Sequence, residues 1–149
     1  MINISKGLDL PISGKPDLNI ADTPNVSSVS LLSNDFIGMK PTMLVREGDE
    51  VKVGTKLFED KKNEGIFFTS PAGGEIKSIN RGDKRKFLSV EIEISQNEQF
   101  IEYEFEDSID STKNNLISSG LWNAFRTRPF NRTPAINDKP NAIFINCCD

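Results

Sequence analysis

Hydrophobic and polar residues alternate strictly in two stretches of the chain. Leu88, Val90, Ile92 and Ile94 are separated by Ser89, Glu91 and Glu93, and a period of two gives a strand one apolar and one polar face. Ile101, Tyr103 and Phe105 alternate with Glu102, Glu104 and Glu106 in the same way. Shorter strands are predicted at 26–32, 42–45, 56–59, 66–69 and 75–79. Turn residues punctuate them: Glu47-Gly48-Asp49, Asn63-Glu64-Gly65, Pro71-Ala72-Gly73-Gly74 and Arg81-Gly82-Asp83. Many short strands with close turns predict a small sandwich or barrel. A weak repeat of the form aliphatic-x-x-Gly-Asp, Val45 to Asp49 and Ile79 to Asp83, suggests two similar halves.

The pattern then changes. Asp110 or Ser111 is placed to cap a helix, and Ile117, Leu121 and Phe125 follow at helical spacing. Arg126-Thr127-Arg128-Pro129 ends that helix, because proline cannot continue its hydrogen-bond ladder. After a loop, 142–146 reads as a short apolar strand. Helix, loop and strand are the start of an α/β unit, and one strand cannot bury itself. The expectation is therefore a fragment of a longer protein, or a sheet that a partner completes.

Charge places the boundary. Every charged residue from Glu91 to Asp110 is acidic, whereas those from Lys113 to Lys139 are basic apart from Asp138. The switch predicts two units, a β-rich domain over 1–107 and the beginning of an α/β domain over 108–149.

Composition narrows the chemistry. The 149 residues include no histidine, and the two cysteines, Cys147 and Cys148, are adjacent. Ser-His-Asp and Cys-His catalysis, His-ligated zinc or haem and four-cysteine clusters are excluded. Vicinal cysteines fit a reducing compartment, since a disulfide between neighbours is strained. A net charge of −4 argues against a general nucleic-acid binder. No apolar run approaches the roughly 20 residues of a membrane span, and the N-terminus lacks the pattern of a signal peptide. Cytoplasmic residence is expected. Neither G-x-G-x-x-G nor G-x-x-x-x-G-K-[ST] occurs, so this segment is not expected to bind NADH itself.

The stretch from Val45 to Lys62, followed by Ser70-Pro71-Ala72-Gly73-Gly74, resembles the biotinyl/lipoyl-carrier family, a barrel-sandwich hybrid fold. By that resemblance Lys61 or Lys62 would carry a prosthetic group on an exposed hairpin. The alternative is a solvated charged hairpin, because Asn63-Glu64-Gly65 departs from the carriers' pattern.

A wider resemblance runs through the whole chain. Lys6-Gly7-Leu8-Asp9-Leu10-Pro11-Ile12-Ser13-Gly14-Lys15-Pro16, Gly38-Met39-Lys40-Pro41-Thr42-Met43, Val45-Arg46-Glu47-Gly48-Asp49, Phe58-Glu59-Asp60-Lys61-Lys62-Asn63, Ile79-Asn80-Arg81-Gly82 and Trp122-Asn123-Ala124-Phe125-Arg126-Thr127-Arg128-Pro129-Phe130 occur in order. Together they resemble the NqrA family, which supplies one subunit of the Na⁺-translocating NADH:quinone oxidoreductases (Na⁺-NQR). The RnfC family of the Rnf-type electron-transport complexes is a related reading, but its cluster-ligating cysteine runs are absent.

The resemblance implies a barrel-sandwich hybrid followed by a Rossmann-like α/β domain. It also implies a peripheral subunit on the cytoplasmic face of a bacterial inner-membrane complex, a sodium-pumping translocase. Flavins, iron–sulfur clusters and the NADH site would lie on partner subunits, with quinone as the substrate and no cofactor on this chain. Cys147-Cys148 lies outside the family motif. Met39, Lys40, Arg126, Arg128 and Phe130 are the candidate quinone-binding residues. Arginines beside an aromatic ring suit a flat ligand with carbonyl acceptors. The same arginines would equally favour a helix C-terminus, and Gly38-Met39-Lys40-Pro41 is also an ordinary turn before a strand.

Overall fold

The structure, a computed structural model, describes residues 11–145 apart from Pro16, Ala21 and Thr23. Seven strands are formed: β1 (Ser28–Leu32), β2 (Pro41–Met43), β3 (Glu50–Val51), β4 (Lys56–Asp60), β5 (Phe67–Thr69), β6 (Gly74–Arg81) and β7 (Phe87–Ile94). They make two antiparallel sheets, one ordered β1-β7-β6-β3 and the other β2-β4-β5. Apolar faces of the two sheets meet in one core. Leu57, Phe58, Ile66 and Phe68 come from the three-stranded side, and Ile76, Phe87, Val90 and Ile92 from the other. Phenylalanine dominates the packing: Phe58 stacks on Phe68 at 4.7 Å, and Phe36 and Phe87 meet this pair edge-on at 4.5 and 5.2 Å. Each such aromatic pair adds about 0.5–1.5 kcal/mol beyond its buried area. Two packed sheets of short strands agree with the small sandwich or barrel that the strand pattern predicted, and with the barrel-sandwich hybrid that the resemblance implied.

The differences from the sequence reading have local causes. β3 is only two residues long, too short to show a period. In β7, Val90 and Ile92 are buried as the alternation predicts, but Leu88 is 43% exposed and Phe87 is buried instead. The pairing shifts between Asn80 opposite Ser89 and Arg81 opposite Phe87. Leu88 is the extra residue of a bulge, which turns the side chains before it to the opposite face. The second alternating stretch forms no strand. Backbone bonds from Val53 N to Gln99 O and from Ile101 N to Val53 O tie its start to the barrel, with one parallel bridge between Val53 and Phe100. Without a sheet to face, Ile101, Tyr103 and Phe105 remain exposed. The two aliphatic-x-x-Gly-Asp segments are not equivalent either. Gly48 has φ 87° in a turn, whereas Gly82 has φ −96°.

After the barrel comes one helix, α1 (Ile109–Ser118), capped by Ser108, whose side chain accepts from Ser111 N. The cap thus falls earlier in the chain than Asp110 or Ser111. The helix does not run on to Phe125. It stops at Ser119, and a short 3-10 turn at Leu121–Ala124 follows. Gly120 is the reason. Its φ is 80°, and a Cβ there would lie 2.6 Å from Thr69 Oγ1. Only glycine accepts that conformation cheaply and lets the chain approach β5 so closely.

Two side-chain bonds hold this segment on the β5 edge. Thr69 Oγ1 donates to Ser119 O at 2.8 Å, and Asn123 Nδ2 donates to Phe67 O at 2.6 Å. Trp122 and Ile136 pack against the barrel core. Residues 142–145 are irregular, and Asn146, the end of the predicted strand, lies outside the described residues, as do Cys147 and Cys148.

Candidate functional site

One end of the sandwich carries a cavity of about 540 Å³, between the β1–β2 connection and the β6–β7 loop. Five cationic side chains line it: Lys40, Arg81, Lys84, Arg85 and Lys86. No carboxylate does. Its apolar wall is built from Phe36, Met39 and Phe87, which also pack on the core.

A buried carboxylate shapes the cavity from beneath. Asp60 is 5% exposed. Its Oδ1 accepts from the backbone N–H groups of Lys40 and Lys62, both at 3.0 Å, and its Oδ2 from Asn63 Nδ2 at 3.2 Å. The backbone N–H of Lys61 donates to Lys40 O at 2.8 Å, and Lys62 Nζ donates to Gly38 O at 2.8 Å. Asp60 therefore joins the β4–β5 turn to the chain entering β2 and sets where Met39 and Lys40 stand. On the opposite wall, Gly82 N donates to Lys86 O at 2.8 Å and Arg85 N to Gly82 O at 3.1 Å. Lys84 and Arg85 take left-handed φ values of 53° and 60°. Each costs of order 1–3 kcal/mol for a residue other than glycine.

Of the five candidate residues, Met39 and Lys40 share this cavity. Arg126, Arg128 and Phe130 lie elsewhere, on the segment after the 3-10 turn. Arg126 Nη1 donates to Asn123 O, to Phe125 O and to Thr133 Oγ1. It holds the end of the 3-10 turn against the chain that follows, the carbonyl-capping role also open to it from sequence. Phe130 is 71% exposed, and its nearest cation is Arg132, 5.9 Å from the ring centre. Arg128 is exposed. Lys61 stands exposed at the start of the β4–β5 turn, and Lys62 is tied to Gly38 as described.

Arg81, Lys84, Arg85 and Lys86 were missed by sequence reasoning because Arg81-Gly82-Asp83 reads first as a turn. The run Arg-Gly-Asp-Lys-Arg-Lys held the signal, a local excess of positive charge in a chain of net charge −4. Asn123 was also missed. It is a buried polar residue whose Nδ2 serves Phe67 O and Gly120 O and whose Oδ1 has no partner among the described residues.

The opposite end is different in kind. A cavity of about 620 Å³ is lined there by Glu50, Glu75 and Glu93 together with Lys52 and the backbone around Gly74. Between the two ends, Lys77 Nζ meets Glu91 Oε1 at 2.8 Å on the outer sheet face. The hydrogen bond to Lys77 lowers the carboxyl pKa of Glu91, and the same bond raises that of Lys77. Burial raises the pKa of the Tyr103 phenol, which donates to Ser118 O at 3.2 Å.

Among the described residues, no group of three or more His, Cys, Asp or Glu side chains is placed to hold a metal ion. Nor is any helix among them long and apolar enough to cross a membrane. The cationic cavity offers donors and positive charge without an acceptor carboxylate. It suits binding an anion or polarising a carbonyl oxygen more than abstracting a proton.

The family model described as the NqrA N-terminal barrel-sandwich hybrid domain matches residues 2–95, and that of the NqrA second alpha/beta domain matches 108–149. Over its whole length the chain is 50% identical to the NqrA subunits of the Na(+)-translocating NADH-quinone reductases from Yersinia pestis and Glaesserella parasuis. It is 52% identical to the corresponding protein from Histophilus somni. The chain spans 35% of the length of each of these relatives. The two-sheet core, the Gly120-dependent docking of α1 and the two family matches in order lead to one conclusion: the chain belongs to the NqrA family, comprising its N-terminal barrel-sandwich hybrid domain and the beginning of its second α/β domain.

Proposed function

We propose that this chain acts as the N-terminal part of the NqrA subunit in a sodium-pumping NADH:quinone reductase, contributing to quinone reduction and to assembly of the complex. The identity of 50% over the full chain to relatives carrying that name is the observation that supports the reading. On this proposal the protein is peripheral to the membrane on its cytoplasmic face. The first domain closes at residue 107, and residues from 108 belong to the second.

Electrons would come from NADH through flavins and clusters held by other subunits. This chain would bind and orient the quinone. Of the candidate residues, Lys40 and Met39 have the better-suited setting. Lys40 would donate to a quinone carbonyl and favour the negative charge that develops on it during reduction, with Met39 against the ring. Arg126 has its Nη1 engaged by backbone carbonyls, so any part it plays is in positioning Arg128 and Phe130.

The test uses the assembled complex with full-length NqrA. Lys40→Gln should raise the KM for quinone about tenfold, on the scale of one charge-assisted hydrogen bond, while NADH oxidation by an artificial acceptor is unchanged. An unaltered quinone KM in Lys40→Gln, Met39→Ala and Arg128→Gln, with the complex intact, would overturn the quinone assignment. Retention of full sodium-pumping activity by a complex lacking NqrA would overturn the wider reading.

A further inference from the structure

Arg81 and the β6–β7 loop concentrate positive charge, with four cations in the run Arg-Gly-Asp-Lys-Arg-Lys. Five cations line the cavity there with no carboxylate among the lining residues, although the chain as a whole is acidic. Among the described residues the one ion pair within 4.0 Å is Lys77 with Glu91, so none of the five is in an ion pair, and Asp83 in the same loop makes none with them. Clustered like charges repel one another, and here the backbone also holds Lys84 and Arg85 at positive φ. Lys61 and Lys62 add further charge beside Lys40.

Large aliphatic side chains flank the same surface. Ile37, on the cavity lining, is 56% exposed. Leu32 and Leu88, the chain neighbours of lining residues Ser33 and Phe87, are 47% and 43% exposed. Leu88 is the bulge residue, so the bulge is what turns this leucine outward.

We propose that this end of the barrel is a docking surface for an anionic phospholipid bilayer. Arg81, Lys84, Arg85 and Lys86 meet the headgroup phosphates, and Ile37, Leu32 and Leu88 rest in the interfacial layer. Charge complementarity selects the partner's sign: basic clusters are drawn to anionic leaflets. Exposed aliphatic side chains beside the cations separate a bilayer from an acidic protein, because Ile37, Leu32 and Leu88 can enter the interfacial layer while the cations stay among the headgroups. Nucleic acid is disfavoured because the Phe87 ring is too buried to stack on bases. The inference does not depend on the quinone reading, and vesicles free of quinone test it.

The experiment is flotation of the 149-residue chain with vesicles of phosphatidylcholine alone and of phosphatidylcholine mixed with phosphatidylglycerol. The chain should float with the mixed vesicles only and be released by high salt. The triple variant Lys84→Gln, Arg85→Gln, Lys86→Gln should bind roughly a hundredfold more weakly, with an unchanged circular dichroism spectrum. Ile37→Ser should weaken binding less, and Lys52→Gln, at the acidic end, should leave it unchanged. Absence of flotation with mixed vesicles, equal binding to both compositions, or full binding by the triple variant would overturn the proposal. So would release by inorganic phosphate or soluble polyglutamate at an ionic strength where sodium chloride has no effect, which would assign the surface to a soluble anion or to an acidic protein.

Discussion

The barrel and the segment that follows it are held by different forces. Between Val45 and Ile92 ten apolar residues form one buried cluster. From Ser108 onward, among the described residues, the one buried residue is Asn123, and α1 buries none. The barrel is stabilised by area removed from water. The segment is held by a few directional bonds to groups on β5, with Trp122 and Ile136 as its apolar contacts. A hydrophobic core tolerates small displacements, because its attraction is non-directional. A segment hung on directional bonds depends on the placement of single atoms, so it should loosen without the barrel doing so.

The largest effect tests the barrel. Phe58 is fully buried between Phe68 and Phe87, and Phe58→Ala should cost about 3–5 kcal/mol. Urea denaturation should show a lowered midpoint, and α1 should lose protection as well, because β5 is its docking edge.

Gly120→Ala inverts that outcome. It combines a left-handed alanine with a contact 2.6 Å from Thr69 Oγ1, a cost of about 2–4 kcal/mol. Amide exchange should quicken over 109–124 while Val90 and Ile92 stay protected. Equal loss in both regions would mean that they unfold as one unit. Asn123→Ala should act in the same direction by about 1–2 kcal/mol, from leaving Phe67 O and Gly120 O without the Asn123 donor. The same exchange measurement resolves it.

The smallest effect uses the single tyrosine. Desolvation raises the Tyr103 pKa, so the folded state keeps its phenol proton to higher pH than the unfolded state. Stability from this group is complete below the ordinary value of about 10 and is lost as pH rises through the folded value. Titration followed by phenolate absorbance should show a midpoint that falls toward the ordinary value in Gly120→Ala, where Ser118 no longer covers the hydroxyl. An unmoved midpoint would separate Tyr103 from the docking of α1.

Much of the barrel is legible locally because one face of each strand is buried and the other is wet. Val90 and Ile92 against Glu91 and Glu93 could face only one way round. The period failed where burial did not enforce it. Glu102, Glu104 and Glu106 alternate with apolar residues that have no sheet to cover them. At Leu88 a bulge changed face without leaving a trace in the pattern. The predicted helix ran straight through Gly120, because the neighbour that demands this glycine, Thr69, lies on another element. The cationic cavity was half legible: Met39 and Lys40 stand out, but Arg81, Lys84, Arg85 and Lys86 are some 40 residues further along the chain.

The amino-acid sequence by itself determined the approximate position of six of the seven strands, the change of character near residue 108, the exclusion of histidine chemistry and the family resemblance. Each depends on residue type and on spacing between near neighbours, which the covalent chain sets directly. The tertiary structure alone decided which cations meet at one cavity, that Asp60 links the β4–β5 turn to Lys40, that Arg126 is engaged by carbonyls, and where the helix must stop. Those are contacts that only the folded chain makes, and most join residues far apart in sequence. They exist once burial of the shared core has brought the two sheets together.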